Sequence, residues 1–306
     1  GNTTPTFSRF GLTSLAWSGR ANYGGGNVAK GGALTTDGAH TIYGLRGGGT
    51  QTFYSYNTVS DAWTLRANTG ANVNEGGALA FLNVGGTDYV YALMGNGNGF
   101  RRHSVSGNSW SAMANAPANI KWGGALTTDG TYIYALRGDK KKDFYRYDPT
   151  AGPIGTWTSL ASTIDDIQNG GALTHLNGFI YALRGKDSNR FYRYNIAANT
   201  WTRMADAPGK VKDGGALTTD GTNVFALQGK NLTGFWRYNV ASNTWTVLNG
   251  YPANVGAGGA LVYVPAFSSN TRLNVMAAAP RLVTTGDKIT VTMTLTSDVA
   301  ANDVVP

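Results

Sequence analysis

The sequence predicts an all-β fold in which repeated four-stranded sheets stand around a common axis, a six-bladed β-propeller. Three observations carry that prediction. Gly-Gly-Ala-Leu opens at Gly31, Gly76, Gly123, Gly170, Gly214 and Gly258, at steps of 45, 47, 47, 44 and 44 residues, a period that marks solenoids, propellers and arrays. Between turn residues the chain runs in short β-branched and aromatic stretches, with no helix-spaced apolar positions. Trp63, Trp110, Trp157, Trp201 and Trp245 return once per unit, and Trp17 stands 46 residues before Trp63.

Within the unit that opens at Gly123, residues 124–128 and 131–136 read as the first two strands. Asp129-Gly130 between them suits a tight primed hairpin turn. The turn recurs as Asp37-Gly38 and Asp220-Gly221, and in variant form as Asn177-Gly178 and Gly85-Gly86. Phe144-Tyr145-Arg146-Tyr147 is the third strand, after the loop 138–143, and Trp157 opens the fourth. The strands are apolar or aromatic on both faces because each sheet is covered by a neighbour on either side.

Five complete copies and one partial copy follow from the spacing. Residues 7–17 match 191–201 without a gap, so the N-terminus carries the third and fourth strands of a blade whose first strand starts at Gly258. That sixth blade is shared between 258–280 and 5–30. Sharing removes two exposed sheet edges and ties down both ends.

The Tyr-Ala-Leu-Arg-Gly second strand, the Phe-Tyr-Arg-Tyr third strand and the Asn-Thr-Trp before the fourth resemble a kelch-type β-propeller repeat over about residues 5–280. The unit departs from that pattern in having Arg137-Gly138 or Arg184-Gly185 after the second strand, with the glycine pair in the first strand instead. The resemblance therefore extends to the fold and not to a functional subfamily.

Two regions are expected, a propeller over 1–280 and a tail over 281–306. In the tail Ile289, Val291, Met293 and Leu295 alternate with threonines, a strand with one apolar face. The segment is similar to the opening of the immunoglobulin-like repeat domains of large bacterial surface proteins, but is too short for a whole sandwich. Such a strand invites pairing, and the expectation is self-association or docking to another surface protein, in an array or filament.

The chain has no cysteine, which excludes thiol chemistry and cysteine-ligated metals. Only 14% of residues are charged, a polar but weakly charged composition expected of an extracellular or cell-surface protein. No apolar run is long enough to span a membrane. The net charge is +8, but acids share the same loops as the lysines, so nucleic acid is not the expected partner. His40, His103 and His175 occupy different places in their repeats, and no nucleophile or phosphate-loop pattern is present. Neither catalytic residues, metal nor cofactor are expected.

A binding face is expected where the second-to-third loops meet the segments between blades. Those loops vary from copy to copy, whereas the first-to-second turns stay near Thr-Asp-Gly. Variable loops on a constant frame are what a binding face needs, and surface loops under relaxed constraint look the same. The candidates are Lys30, Glu75, Trp122 and Asp213 before the glycine pairs, and Lys140, Lys141, Lys142, Lys186 and Lys230 in the loops. Trp122 suits stacking on a sugar ring, on a protein, or plugging the channel; a glycan is the alternative ligand. The strand arginines Arg9, Arg102, Arg146, Arg193 and Arg237 repeat too regularly to be a specific site and are expected to serve the blades.

Overall fold

The computed structural model describes residues 4–265 and the backbone of 303–305. Among these residues are 24 strands and no helix, arranged as an all-β propeller. The third complete blade shows the plan. Ala125–Thr128, Ile133–Leu136, Phe144–Asp148 and Thr156–Ser159 form an antiparallel meander in which Leu126 faces Ala135, Tyr134 faces Arg146 and Tyr147 faces Trp157. The first strand lies at the axis and the fourth at the rim. All four residues of the second strand are buried, whereas the fourth is exposed except for half-buried Trp157. This gradient explains why the second strands read as unbroken apolar runs.

Five blades of this kind, over 33–65, 78–112, 125–159, 172–203 and 216–247, are drawn from consecutive strands. Blades built from consecutive strands thus number five, where six were expected with the sixth shared between the chain ends. A further four-stranded sheet is composite, with Ala16–Gly19, Ser8–Gly11, Asp303–Val305 and Val262–Val264 in that order. The N-terminal pair takes the third and fourth places, as the match of 7–17 to 191–201 requires. The second place differs: its strand comes from 303–305, inside the stretch expected to be a separate tail. Ile289, Val291, Met293 and Leu295 lie outside the described residues.

An apolar cavity of about 120 Å³ lies beside this sheet, lined among others by Phe7, Val28 and Ala260.

Blades adhere through a repeated aromatic contact. Phe144 meets Tyr194 and Trp201 of the next blade edge-on at 4.9 and 5.0 Å. Phe53, Phe100 and Phe191 repeat the contact with their following blades. The composite sheet joins through Phe235 to Phe10 and Trp17 on one side, and through Phe7 to Tyr56 and Trp63 on the other. Each such pair contributes about 0.5–1.5 kcal/mol beyond the area it buries.

A polar stitch runs alongside. Trp201 Nε1 donates to the Ala161 carbonyl at 3.0 Å, while Asn199 Oδ1 accepts from Ala161 N–H at 2.9 Å and from the Tyr194 hydroxyl at 2.7 Å. Asp61 and Asn243 take the asparagine's part in other seams, again bonded to the third-strand tyrosine. Asn108 does the same with His103 in place of the tyrosine. In the third blade the Ile154 carbonyl substitutes, accepting from Ala114 N–H and Tyr147. The recurring tryptophan therefore does more than open a strand: it bonds its blade to the one before.

The Asp-Gly turns differ from expectation. Positive φ at both central residues, the mark of a type I′ turn, occurs at Asn177-Gly178 and Gly85-Gly86. At Asp129 the loop is wider, and Asp129 Oδ1 closes it by accepting from Thr131 and Tyr132 N–H. A side-chain turn replaces the backbone one because Asx residues bond the chain two or three residues on.

The glycine pairs answer to crowding at the axis. Gly123 has φ +83°, and a Cβ there would lie 2.1 Å from the Gln168 carbonyl oxygen of the next blade; at Gly124 it would lie 2.4 Å from Ile120 Cγ2. No larger residue fits where the inner strands converge.

Candidate binding face

The residue before each glycine pair lines one mouth of the axial channel. Lys30, Glu75, Trp122, Asn169, Asp213 and Ala257 surround a cavity of about 90 Å³ floored by the glycines. Below it the six innermost strands enclose about 250 Å³. Trp122 is half-buried at this rim.

The second-to-third loops are bonded onto the same residues. N–H groups of Gly48, Asn96, Asp139, Lys186 and Lys230 donate to the carbonyls of Lys30, Glu75, Trp122, Asn169 and Asp213 at 2.8–3.0 Å. The two variable sets expected to share a face are thereby joined blade by blade. Each loop then turns through left-handed residues: Asp139 and Lys140 at φ 53° and 59°, Lys186 and Asp187 at 60° and 55°, Lys230 and Asn231 at 60° and 55°. In the first blade these places are Gly48 and Gly49.

The loops raise one wall of a larger basin of about 560 Å³. Lys30, Trp122, Lys140, Lys186 and Lys212 line it, with Asp187 as its acid. Lys30 pairs with Glu75 at 3.0 Å, Lys186 with Asp166 at 2.9 Å, and Asp187 with Lys230 at 2.7 Å. Lys140 Nζ lies 6.0 Å from the Trp122 ring centre. Neither Lys140 nor Lys212 forms an ion pair with another described residue, so the basin keeps positive charge in excess.

Of the nine expected residues, Lys30, Trp122, Lys140 and Lys186 meet in the basin, while Glu75 and Asp213 complete the mouth beside it. Asp213 accepts a bond from Asn169 at 2.6 Å. Lys141, Lys142 and Lys230 do not line the basin; Lys142 Nζ instead donates to the Ile164 carbonyl at 2.8 Å. Lys212 and Gln168 join the lining without having been singled out. Lys212 sits two residues before its glycine pair, one place off the position compared between repeats.

Beside the basin, Asp165 accepts from Arg190 and Tyr192, and Asp166 from Arg184, Gln168 and Lys186. Burial raises the pKa of Asp166, but those bonds outweigh it and hold the carboxyl well below its ordinary range. Burial, then the bond to Asp165, pushes Tyr192 up to about 12. In this network two carboxylates, Asp165 and Asp166, face three cations, Arg184, Arg190 and Lys186, so one positive charge is left over at the basin's edge.

Three of the third-strand arginines pack on rings of their own blades. Arg102, Arg146 and Arg193 lie 4.1, 4.4 and 4.5 Å from the ring centres of Tyr89, Tyr132 and Phe179, a cation–π contact within one sheet. Arg46 and Arg184 at second-strand ends donate Nε to the carbonyls of Asn27 and Asp166. Among the described residues no three of His, Asp and Glu are grouped to hold a metal, and no helix is long and apolar enough to cross a membrane.

No family model matches the chain, and no curated protein matches its sequence. Many solved structures match it. One, the structure of YjhT, is 15% identical, with a TM-score of 0.59 over 78% of this chain and 90% of that one. At that identity the similarity shows the propeller fold alone.

Proposed function

We propose that the protein is a non-enzymatic, extracellular, kelch-type propeller, closed as six sectors by its two ends, that adheres to a surface partner through the face around Trp122. One observation carries this reading: six different side chains at equivalent positions converge on one mouth, fastened to loops that also vary. The opposite face repeats Thr-Asp-Gly turns. A low share of charged residues, 14%, supports an exported protein.

A photo-crosslinking amino acid at Lys141, on the loop face, and at Thr131, on the turn face, tests the reading with isolated cell-envelope material. Adducts from position 141 and none from 131 are expected. Equal labelling from both, or labelling from 131 alone, would reject it.

Assembly into an array or filament is a second reading, favoured by the pairing of Asp303–Val305 between strands from both chain ends. The same strand from a neighbouring copy would fit the same place, as in strand-swapped assemblies. Light scattering should then show concentration-dependent growth that is lost on deleting 281–306; a monomer at all concentrations contradicts it.

A further inference from the structure

We infer that the basin beside the axial mouth binds an acidic saccharide, with Trp122 under the sugar ring and Lys140, Lys186 and Lys212 facing its carboxylate or sulfate. This rests on the loop face being the binding face and names the ligand class it takes. A half-exposed indole flanked by four lysines in one depression presents an apolar plate and a cluster of cations together. A sugar ring offers a flat C–H face to the first and an acidic substituent to the second. The basin's volume of about 560 Å³ lies within the range of small-molecule sites.

The backbone supplies an independent argument. Lys186 and Lys230 adopt left-handed φ of 60° at one loop position, and Lys140 φ of 59° at the next position of the same two-residue turn. Glycine takes that conformation without strain, as Gly48 and Gly49 do in the first blade, and lysine does not. Three consecutive blades therefore hold a strained lysine where a glycine would fold more easily. Strain retained at a rim points to work done by the side chain.

A nucleic acid fits less well. Glu75, Asp139, Asp166, Asp187 and Asp213 stand on the same face and would repel a continuous phosphate backbone, and Trp122 is a single stacking plate where a strand needs several. Lys140 lies at the outer limit of cation–π distance from Trp122, so it can leave the ring to a sugar and remain beside it as counter-ion.

The test is calorimetric titration of the full chain with tetragalacturonate, a κ-carrageenan tetrasaccharide, maltotetraose and a short oligothymidylate. Saturable binding of tetragalacturonate or of the sulfated sugar, weakened by added salt, is expected, and which of the two binds identifies the anion. Trp122→Ala should weaken it about tenfold or more. Lys140→Gly combined with Lys186→Gly should abolish most of the affinity while the melting temperature rises, an outcome that a structural role for these lysines does not allow. Equal binding of maltotetraose, Trp122-dependent binding of oligothymidylate in preference to the sugars, indifference to the substitutions, or no saccharide binding would each overturn the inference. If no saccharide binds but envelope crosslinks still come from position 141, the ligand class is wrong and the binding face stands; if the crosslinks fail too, both fall.

Discussion

Replacing Asn199 by Ala should cost the protein about 3 kcal/mol, and the figure can be assembled from the seam. Asn199 Oδ1 accepts from the buried Tyr194 hydroxyl and from Ala161 N–H, at 2.7 and 2.9 Å. Leaving the hydroxyl unpaired costs about 1–2 kcal/mol; the more exposed N–H, which water reaches, costs about 0.5 kcal/mol. Asn199 also has φ 53°, a conformation that costs alanine about 1 kcal/mol. Asn199→Gly should therefore lose about 1 kcal/mol less, having no such strain. Asn199→Asp should be close to neutral, since Asp61 already does the same task toward Tyr56 and Ala21. Urea denaturation of the three variants gives the values. If Asp were as damaging as Ala, or if Ala cost less than about 1 kcal/mol, the stitch would not hold blades together as described.

Gly124→Ala should destabilise by about 3 kcal/mol, because its Cβ would sit 2.4 Å from buried Ile120; Gly130→Ala, in open space at φ +92°, should lose only about 1 kcal/mol in the same denaturation series. Trp201→Ala should cost about 3–5 kcal/mol by opening a seam, whereas Trp122→Ala, outside every seam, should stay within about 0.5 kcal/mol; comparable losses would place Trp122 in the core. Burial lowers the pKa of both His103 and His175. Their neutral forms are the folded ones, so stability present above pH about 6.5, the ordinary histidine value, is lost as pH falls toward the lowered folded values. Thermal melts from pH 8 to 5 should show this loss, reduced in His103→Tyr, which restores the tyrosine bonded to Asn108's counterparts in other blades; unchanged pH dependence would count against His103.

Much of the fold was legible because its constraints repeat. The tryptophan spacing marks seams that are alike to within a few tenths of an ångström, and the gap-free match of 7–17 to 191–201 places both N-terminal strands in their observed register. The second strand of the composite sheet was not legible, because Asp303-Val304-Val305 carries none of the repeat's markers. The Asp-Gly turns misled because two residues with primed-turn preference also suit a wider loop closed by the aspartate side chain. At the binding face, the two loop sets could be paired from repeat position alone. Which lysines reach the basin could not, since Lys140 and Lys142 are near neighbours in sequence and only backbone conformation sends one to Trp122 and the other to the Ile164 carbonyl. Lys212 was missed for the related reason that it arrives from the next segment between blades.

The tryptophan indoles offer the most direct check on the claim that the mouth face binds. Each of the six seam indoles, from Trp17 to Trp245, is bonded to a carbonyl of the blade before it, while Trp122 stands at the mouth. In an indole N–H correlation spectrum titrated with tetragalacturonate, the Trp122 resonance should move progressively to saturation while the six seam resonances stay fixed. A fixed Trp122 signal, or shifts confined to the seam indoles, would contradict the account.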